Sequence, residues 1–236
     1  MTGRPLWFEQ EATDVPPDRT WLGPDEREHL DSLTVERRRL DWLLGRWTAK
    51  QTLILASVFE ESDVAHPSRL EILPGSDGSP RVTISGEVSP VSISLSHRAG
   101  RALCCVWQGG AVGCDLELVE PRSEAFCRDY FTSREQAVIA SEGATGLSVT
   151  ANSLWSAKES ILKLLKTGLT VDSRLLEVEA EAFSQTSNWQ RFSVSHRGIS
   201  RNFTGWWCRR EDWILTVASD PKTDAPIRLV LGEKGG

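Results

Sequence analysis

The sequence predicts an α+β protein of two pseudo-symmetric lobes, each with helices packed on a small antiparallel sheet. Three observations carry this. Each half of the chain runs helix first and strands after. A Pro-containing stretch, Val119-Glu120-Pro121-Arg122, forms a joint near the middle. Several short runs alternate apolar and polar residues, the mark of half-buried strands. The expected division is residues 1–118 for the first lobe and 119–236 for the second, with a cleft between them. The halves share an order of elements but no close sequence repeat.

Residues 1–24 are rich in Pro, Asp and Thr and read as an irregular arm. Pro24-Asp25-Glu26 has the form of a helix start, with acidic residues in the first turn. Leu30, Leu33, Leu40, Leu43 and Leu44 recur at helical spacing, and this helical region continues to Leu55. It is basic at Arg37, Arg38, Arg39, Arg46 and Lys50. Strands are expected at Leu70–Leu73, Val82–Ile84, Val91–Leu95, Arg101–Trp107 and Ala111–Leu118. The first two are separated by the turn-rich stretch Pro74 to Pro80. In the second half, Phe126–Ala140 reads as helical and Gly143–Gly146 as a break. The strongest helix runs from Ser153 to Lys166 and is closed by Thr167-Gly168. Phe192–Val194, Phe203–Cys208 and Trp213–Ala218 read as strands.

Composition narrows the function. A chain of 236 residues, 39% hydrophobic and 25% charged, is ordinary for a soluble globular protein. A net charge of −6 argues against nucleic-acid binding. No run of about 18 apolar residues is present, so no membrane span is expected. The first residues lack the apolar core of a secretory signal. Five cysteines without a C-x-x-C pair argue against a disulfide framework or zinc site, and the reducing cytoplasm is the expected compartment. The ten tryptophans are read as packing residues.

Four local features carry chemistry. In Gly113-Cys114-Asp115-Leu116-Glu117, strand alternation places Asp115 and Glu117 on one face and turns Cys114 and Leu116 to the core. Two adjacent carboxylates repel unless a cation or hydrogen bonds compensate, and a hard divalent cation is one remedy. An exposed polar strand face is the other reading of the same pair. In Trp155-Ser156-Ala157-Lys158-Glu159-Ser160-Ile161-Leu162-Lys163, helical geometry gathers Leu154, Ala157, Ile161, Leu164 and Leu165 into an apolar stripe. Glu159, Lys163 and Lys166 fall opposite, where Glu159 and Lys163 could form only a solvated i,i+4 pair. His97, in Ser94-Leu95-Ser96-His97, reads either as a ligand or as a structural histidine at a strand end. The basic run Arg37–Lys50 reads either as a binding helix or as a solvated face.

In this order and spacing the features resemble the 4′-phosphopantetheinyl transferase superfamily, in its longer, two-lobed (Sfp-type) branch. The resemblance rests on Ser-x-Ser-His97, Gly113-Cys114-Asp115-Leu116-Glu117, Phe131-Thr132-Ser133-Arg134-Glu135 and Trp155-Ser156-Ala157-Lys158-Glu159-Ser160-x-x-Lys163. Arg38, Leu43-Leu44-Gly45-Arg46 and Lys50 resemble the family's basic helix, and Gly78-Ser79-Pro80 its Gly-Lys-Pro turn. Ser79 replaces the usual Lys, and Cys114 the usual Ile or Val.

The resemblance implies an enzyme that moves 4′-phosphopantetheine from coenzyme A to a serine of an acyl-, peptidyl- or polyketide-carrier protein. It implies an active site in the inter-lobe cleft and Mg²⁺, with Mn²⁺ as a substitute, held by Asp115, Glu117 and Glu159. Glu159, Lys163 and His97 are the expected catalytic residues. Arg38, Arg46, Lys50, Gly78, Pro80, Ser96, His97, Lys158 and Lys163 are the expected coenzyme A contacts. Arg122, Arg128 and Arg134 are a candidate dock for an acidic carrier, and a monomer is expected. Two other readings of the same residues are a metal-dependent phosphate hydrolase and a catalytically silent coenzyme A- or carrier-binding module.

Overall fold

The computed structural model describes residues 3–60, 62, 66–180 and 188–231. The fold is α+β and the chain divides into two compact units. One comprises residues 1–110 with 226–236; the other comprises residues 111–225.

In the first unit, strand β1 (Leu6–Glu11) is followed by helices α1 (Pro24–Ser32) and α2 (Glu36–Leu55). Strands β2 (Leu70–Pro74), β3 (Pro80–Ile84) and β4 (Glu87–Val88) form a small antiparallel meander. A second sheet has the order β12-β1-β6-β5, with β5 at Ser92–Arg98, β6 at Arg101–Trp107 and β12 at Ile227–Arg228. The expected irregular arm is therefore corrected. Trp7 and Phe8 are buried, and β1 pairs antiparallel with β6, Trp7 opposite Cys105. Six residues between Pro5 and a loop rich in Pro and Asp are too few for alternation to show. Strand β12 adds to β1 in parallel, Leu6 opposite Ile227. Helix α2 lays Ala49 and Leu53 against Leu70, Ile72, Val82, Ile93, Cys104 and Val106, the core of this unit.

The second unit opens with strand β7 (Ala111–Leu118), which matches the sequence expectation residue for residue. On sequence this strand went with the first lobe; its hydrogen bonds are to β11 (Trp213–Asp220), Asp115 opposite Thr216. Helices α3 (Glu124–Tyr130) and α4 (Ser133–Ser141) come next. They divide the single helix expected over 126–140, because Thr132 caps α4: its side chain accepts from Glu135 N. Helix α5 spans Ala144–Leu164, with Gly143 at its N-cap, so the glycine pair that read as a break lies at its start. Strands β8 (Leu176–Ala180), β9 (Gln190–His196) and β10 (Arg201–Arg210) complete an antiparallel sheet of order β7-β11-β10-β9-β8.

Helix α5 is not half solvated as its stripe suggested. Every residue from Val149 to Lys158 is buried, and Glu159 and Lys163 are the partly exposed positions between there and Leu164. The helix packs on β7, β11 and α4. Leu154, Ala157, Ile161 and Leu164 join Phe192, Val194, Phe203 and Trp207 in the core.

Candidate active site

Gly113 sets the distance between β7 and α5. A Cβ at this position would lie 2.0 Å from the Ser160 carbonyl oxygen and 2.6 Å from Leu164 N. Only a glycine lets the strand pass this close beneath the helix backbone. Alternation then places Asp115 and Glu117 on the same face as Gly113, toward α5. Cys114 and Leu116 are fully buried, as expected of the alternate positions.

Asp115 is 3% exposed, and its Oδ1 accepts from Lys163 Nζ at 2.7 Å. Glu117 Oε1 accepts from the indole Nε1 of Trp155 at 3.1 Å, and its Oε2 from Arg122 at 2.8 Å. Trp155, in the Trp-Ser-x-Lys-Glu stretch, thus holds one carboxylate, a role not assigned to it from sequence. Glu159 is placed among these charges. Burial, with the negative charge of Asp115 and Glu117 added, pushes its pKa up to about 7, against the pull of Lys163. Burial also works against the Lys163 charge, but the Asp115 carboxylate outweighs it and holds the ammonium above its ordinary range. Glu159 Oε1 is buried without a hydrogen-bond partner among the described residues.

This donor set suits a hard cation: oxygen ligands, crowded negative charge and one orphaned carboxylate oxygen. Among the described residues, no three His, Cys, Asp or Glu side chains are already gathered tightly enough to hold an ion by themselves. Oxygens from a bound phosphate or from water would complete the coordination, as is usual for Mg²⁺.

The first unit gathers most of the expected coenzyme A contacts. Arg38, Arg46, Gly78, Pro80 and His97 line one cavity of about 380 Å³, together with Asp41, Trp42 and Leu95. Gly78 has φ of 76°, which explains a glycine in that turn. The Arg46 guanidinium lies over the Trp42 ring at 4.9 Å. Burial pushes its pKa down to about 10, and its Nε has no partner among the described residues. Ser96 is buried in β5 and does not line the cavity. Ser79 donates its hydroxyl to Asp77 and its carbonyl accepts from Gly75 N, so it serves the turn itself.

Two expected phosphate contacts are corrected. Lys50 and Lys158 are both fully buried. Lys50 Nζ meets Glu26 at 2.5 Å and donates to the carbonyls of Trp21 and Pro67. Lys158 Nζ meets Glu135 at 2.7 Å and donates to the carbonyls of Tyr130 and Ser173. An ammonium has three donors, and both lysines have used all three. The proposed basic dock is also largely committed. Arg122 binds Glu117 and Asn152, Arg134 binds Glu177 and Glu179, and Arg128 binds Asp129.

The two buried lysines expose a repeat that the sequence reading missed. Trp47-Thr48-Ala49-Lys50-Gln51-Thr52-Leu53-Ile54 and Trp155-Ser156-Ala157-Lys158-Glu159-Ser160-Ile161-Leu162 occupy equivalent places. The partners of each lysine correspond as well. Glu26 and Glu135 both stand in the first turn of the preceding helix. Each accepts a backbone N–H from the following strand, Ile72 for Glu26 and Val178 for Glu135, both at 2.9 Å. The eight-residue match is conservative rather than identical.

Residues 111–218 match the family described as the 4′-phosphopantetheinyl transferase superfamily. This segment lies within the second unit and contains Asp115, Glu117, Glu159 and Lys163. The match takes in just under half of the chain. Among solved structures it is similar to the crystal structure of Thermotoga maritima holo-[acyl-carrier-protein] synthase (AcpS), with 17% identity and a TM-score of 0.32. That similarity covers 48% of this chain and 66% of the other, so the chain spans just under two thirds of that protein's length. No curated protein matches the chain. No helix among the described residues is long and apolar enough to cross a membrane.

Proposed function

We propose that this protein transfers 4′-phosphopantetheine from coenzyme A to a serine of an acyl-, peptidyl- or polyketide-carrier protein and releases 3′,5′-ADP. The observation that carries the reading is the seating of β7 beneath α5, which sets Asp115 and Glu117 against Glu159 and Lys163. A phosphate hydrolase would need the same carboxylates, but the superfamily match favours the transferase.

Asp115, Glu117 and Glu159 are the residues that would hold Mg²⁺, or Mn²⁺ in its place. The ion would supply neutralisation of pyrophosphate charge and polarisation of the phosphorus. The cavity lined by Arg38, Arg46, Gly78, Pro80 and His97 would take coenzyme A, with Arg38 and Arg46 toward its 3′-phosphate and His97 toward a phosphate. The carrier serine oxygen bonds to the β-phosphorus, the bond from that phosphorus to the bridging oxygen breaks, and 3′,5′-ADP leaves with the electron pair. Glu159 accepts the serine proton, directly or through a water; a carboxylate that also holds a cation is a poor base on its own, which favours the water route. Lys163 stabilises charge developing toward the leaving group. Positioning and electrostatics supply most of the acceleration in such transfers.

The test is intact-mass measurement of apo-carrier proteins of all three classes, incubated with this protein, coenzyme A and MgCl₂, with an EDTA control. A gain of about 340 Da, the phosphopantetheine mass, lost with EDTA, is expected. An unmodified carrier in every class, with coenzyme A binding intact, would replace this reading with that of a silent binding module.

A further inference from the structure

Glu159 makes no side-chain hydrogen bond to a described residue, and its Oε1 is buried and unpartnered. Asp115, Glu117 and Lys163 act on its charge without a hydrogen bond to fix its direction. Its orientation is inherited from the backbone of α5 at the position next to it. That position is Lys158, whose ammonium is tethered at three points. Glu135 Oε2 takes both the ammonium of Lys158, at 2.7 Å, and Thr132 N, at 2.8 Å. Glu135 Oε1 takes Val178 N at 2.9 Å. Lys158 Nζ donates to Tyr130 O at 2.9 Å and Ser173 O at 3.0 Å, and lies 5.3 Å from the Phe131 ring centre. One buried ion pair therefore ties α5 to the start of α4, to the turn at 173 and to β8.

We propose that Glu135 and Lys158 are positioning residues for Glu159: their clamp fixes the rotation and register of α5, and so the place of the carboxylate. The inference rests on the proposed function. The first unit contains its internal control. Glu26 and Lys50 form the same clamp with the same set of backbone partners, yet the residue after Lys50 is Gln51, and Leu55 stands where the second copy has Lys163. There the clamp has no carboxylate to aim. Burial, ion pair and backbone anchors are matched in the two copies, so loss of either clamp should cost similar stability. Only loss of the second should disturb the carboxylates; the first clamp holds α2, and its loss would reach the coenzyme A contacts Arg38 and Arg46 instead.

The experiment compares the wild-type chain, Glu26→Gln, Glu135→Gln and the double variant Glu135→Met with Lys158→Met. Three quantities are read: melting temperature, Mn²⁺ affinity by electron paramagnetic resonance with coenzyme A present, and kcat and KM of transfer. Glu26→Gln and Glu135→Gln should lower the melting temperature comparably. Glu135→Gln should weaken Mn²⁺ binding at least tenfold and lower kcat at least tenfold, with KM for coenzyme A within about threefold. Glu26→Gln should leave Mn²⁺ affinity and kcat within about twofold. The double variant removes both buried charges and should recover melting temperature without recovering kcat or Mn²⁺ affinity.

Recovery of kcat and Mn²⁺ affinity together with stability in the double variant would reduce the clamp to a packing element and overturn the inference. Equal losses in Glu26→Gln and Glu135→Gln would do the same. A wild-type chain that binds Mn²⁺ but transfers nothing would overturn the proposed function, and the affinity ratios would still decide the clamp. A wild-type chain that does neither would overturn both.

Discussion

Lys163 Nζ donates to Asp115 Oδ1 at 2.7 Å, joining the last full turn of α5 to the middle of β7 across 48 residues of sequence. Asp115 is almost fully buried while Lys163 keeps about a quarter of its side chain exposed. The lysine therefore has access to a ligand, and the carboxylate holds it in place. Lys163→Met should lower kcat by about 10²- to 10³-fold. Circular dichroism should show the fold retained, and intact-mass kinetics on a carrier protein would measure the loss. A variant within twofold of wild type would remove Lys163 from the chemistry.

Glu159 links stability to pH. Its folded pKa, near 7, stands above the ordinary glutamate value of 4.5. The folded state therefore binds more protons than the unfolded state between those values, and stability falls as pH rises. The contribution is fully present below about pH 4.5 and is lost as pH passes through about 7. Chemical denaturation in EDTA should show wild type losing on the order of 3 kcal/mol relative to Glu159→Gln across this window. Parallel pH profiles for the two proteins would contradict the assignment. Adding Mg²⁺ at pH 8 should stabilise wild type and leave Glu159→Gln nearly unchanged.

Gly113 tests the seating of the strand under the helix. The atoms that a Cβ would strike, Ser160 O and Leu164 N, are backbone and cannot rotate away. Gly113→Ala should therefore cost about 3 kcal/mol of stability and lower kcat further than stability loss alone explains, because α5 must move away from Asp115. Thermal melts and kinetics below the melting transition would separate the two effects. An alanine variant as stable and active as wild type would show that the strand and helix are not in contact there.

Arg46 tests the cavity of the first unit. It is half-buried, desolvation drives its pKa down, and its buried Nε lacks a partner among the described residues. A charge so placed without full compensation is costly unless a ligand completes it. Arg46→Met should raise KM for coenzyme A at least tenfold and leave kcat within about threefold. Its unliganded melting temperature should be unchanged or higher. A raised kcat effect with unchanged KM would move the coenzyme A site elsewhere.

Much of the element pattern was legible in the sequence because period is local. The alternation of Ala111–Leu118 and the turn chemistry of Gly143, Thr167 and Gly168 depend on neighbours within one or two turns. The short alternation of Leu6–Glu11 gave no such signal, because β1 is defined by its partners β6 and β12, from distant parts of the chain. Burial of charge was the least legible property. Lys50 and Lys158 have the same identity as any exposed lysine, and sequence placed both on phosphates. Their burial depends on Glu26 and Glu135, each more than 20 residues away, and on carbonyls that converge only after folding.

The sequence by itself determined which residue types were available to the site: two carboxylates at strand spacing, and Glu159 with Lys163 one helical turn apart. It determined the superfamily motif for the same reason, since both spacings are short-range. The tertiary structure alone decided which charges remain available for chemistry. It consumed Lys50 and Lys158 in buried clamps and left Glu159 Oε1 unpartnered. Availability of a charge is a matter of desolvation and of competing partners, and both arise from contacts between segments far apart in the chain.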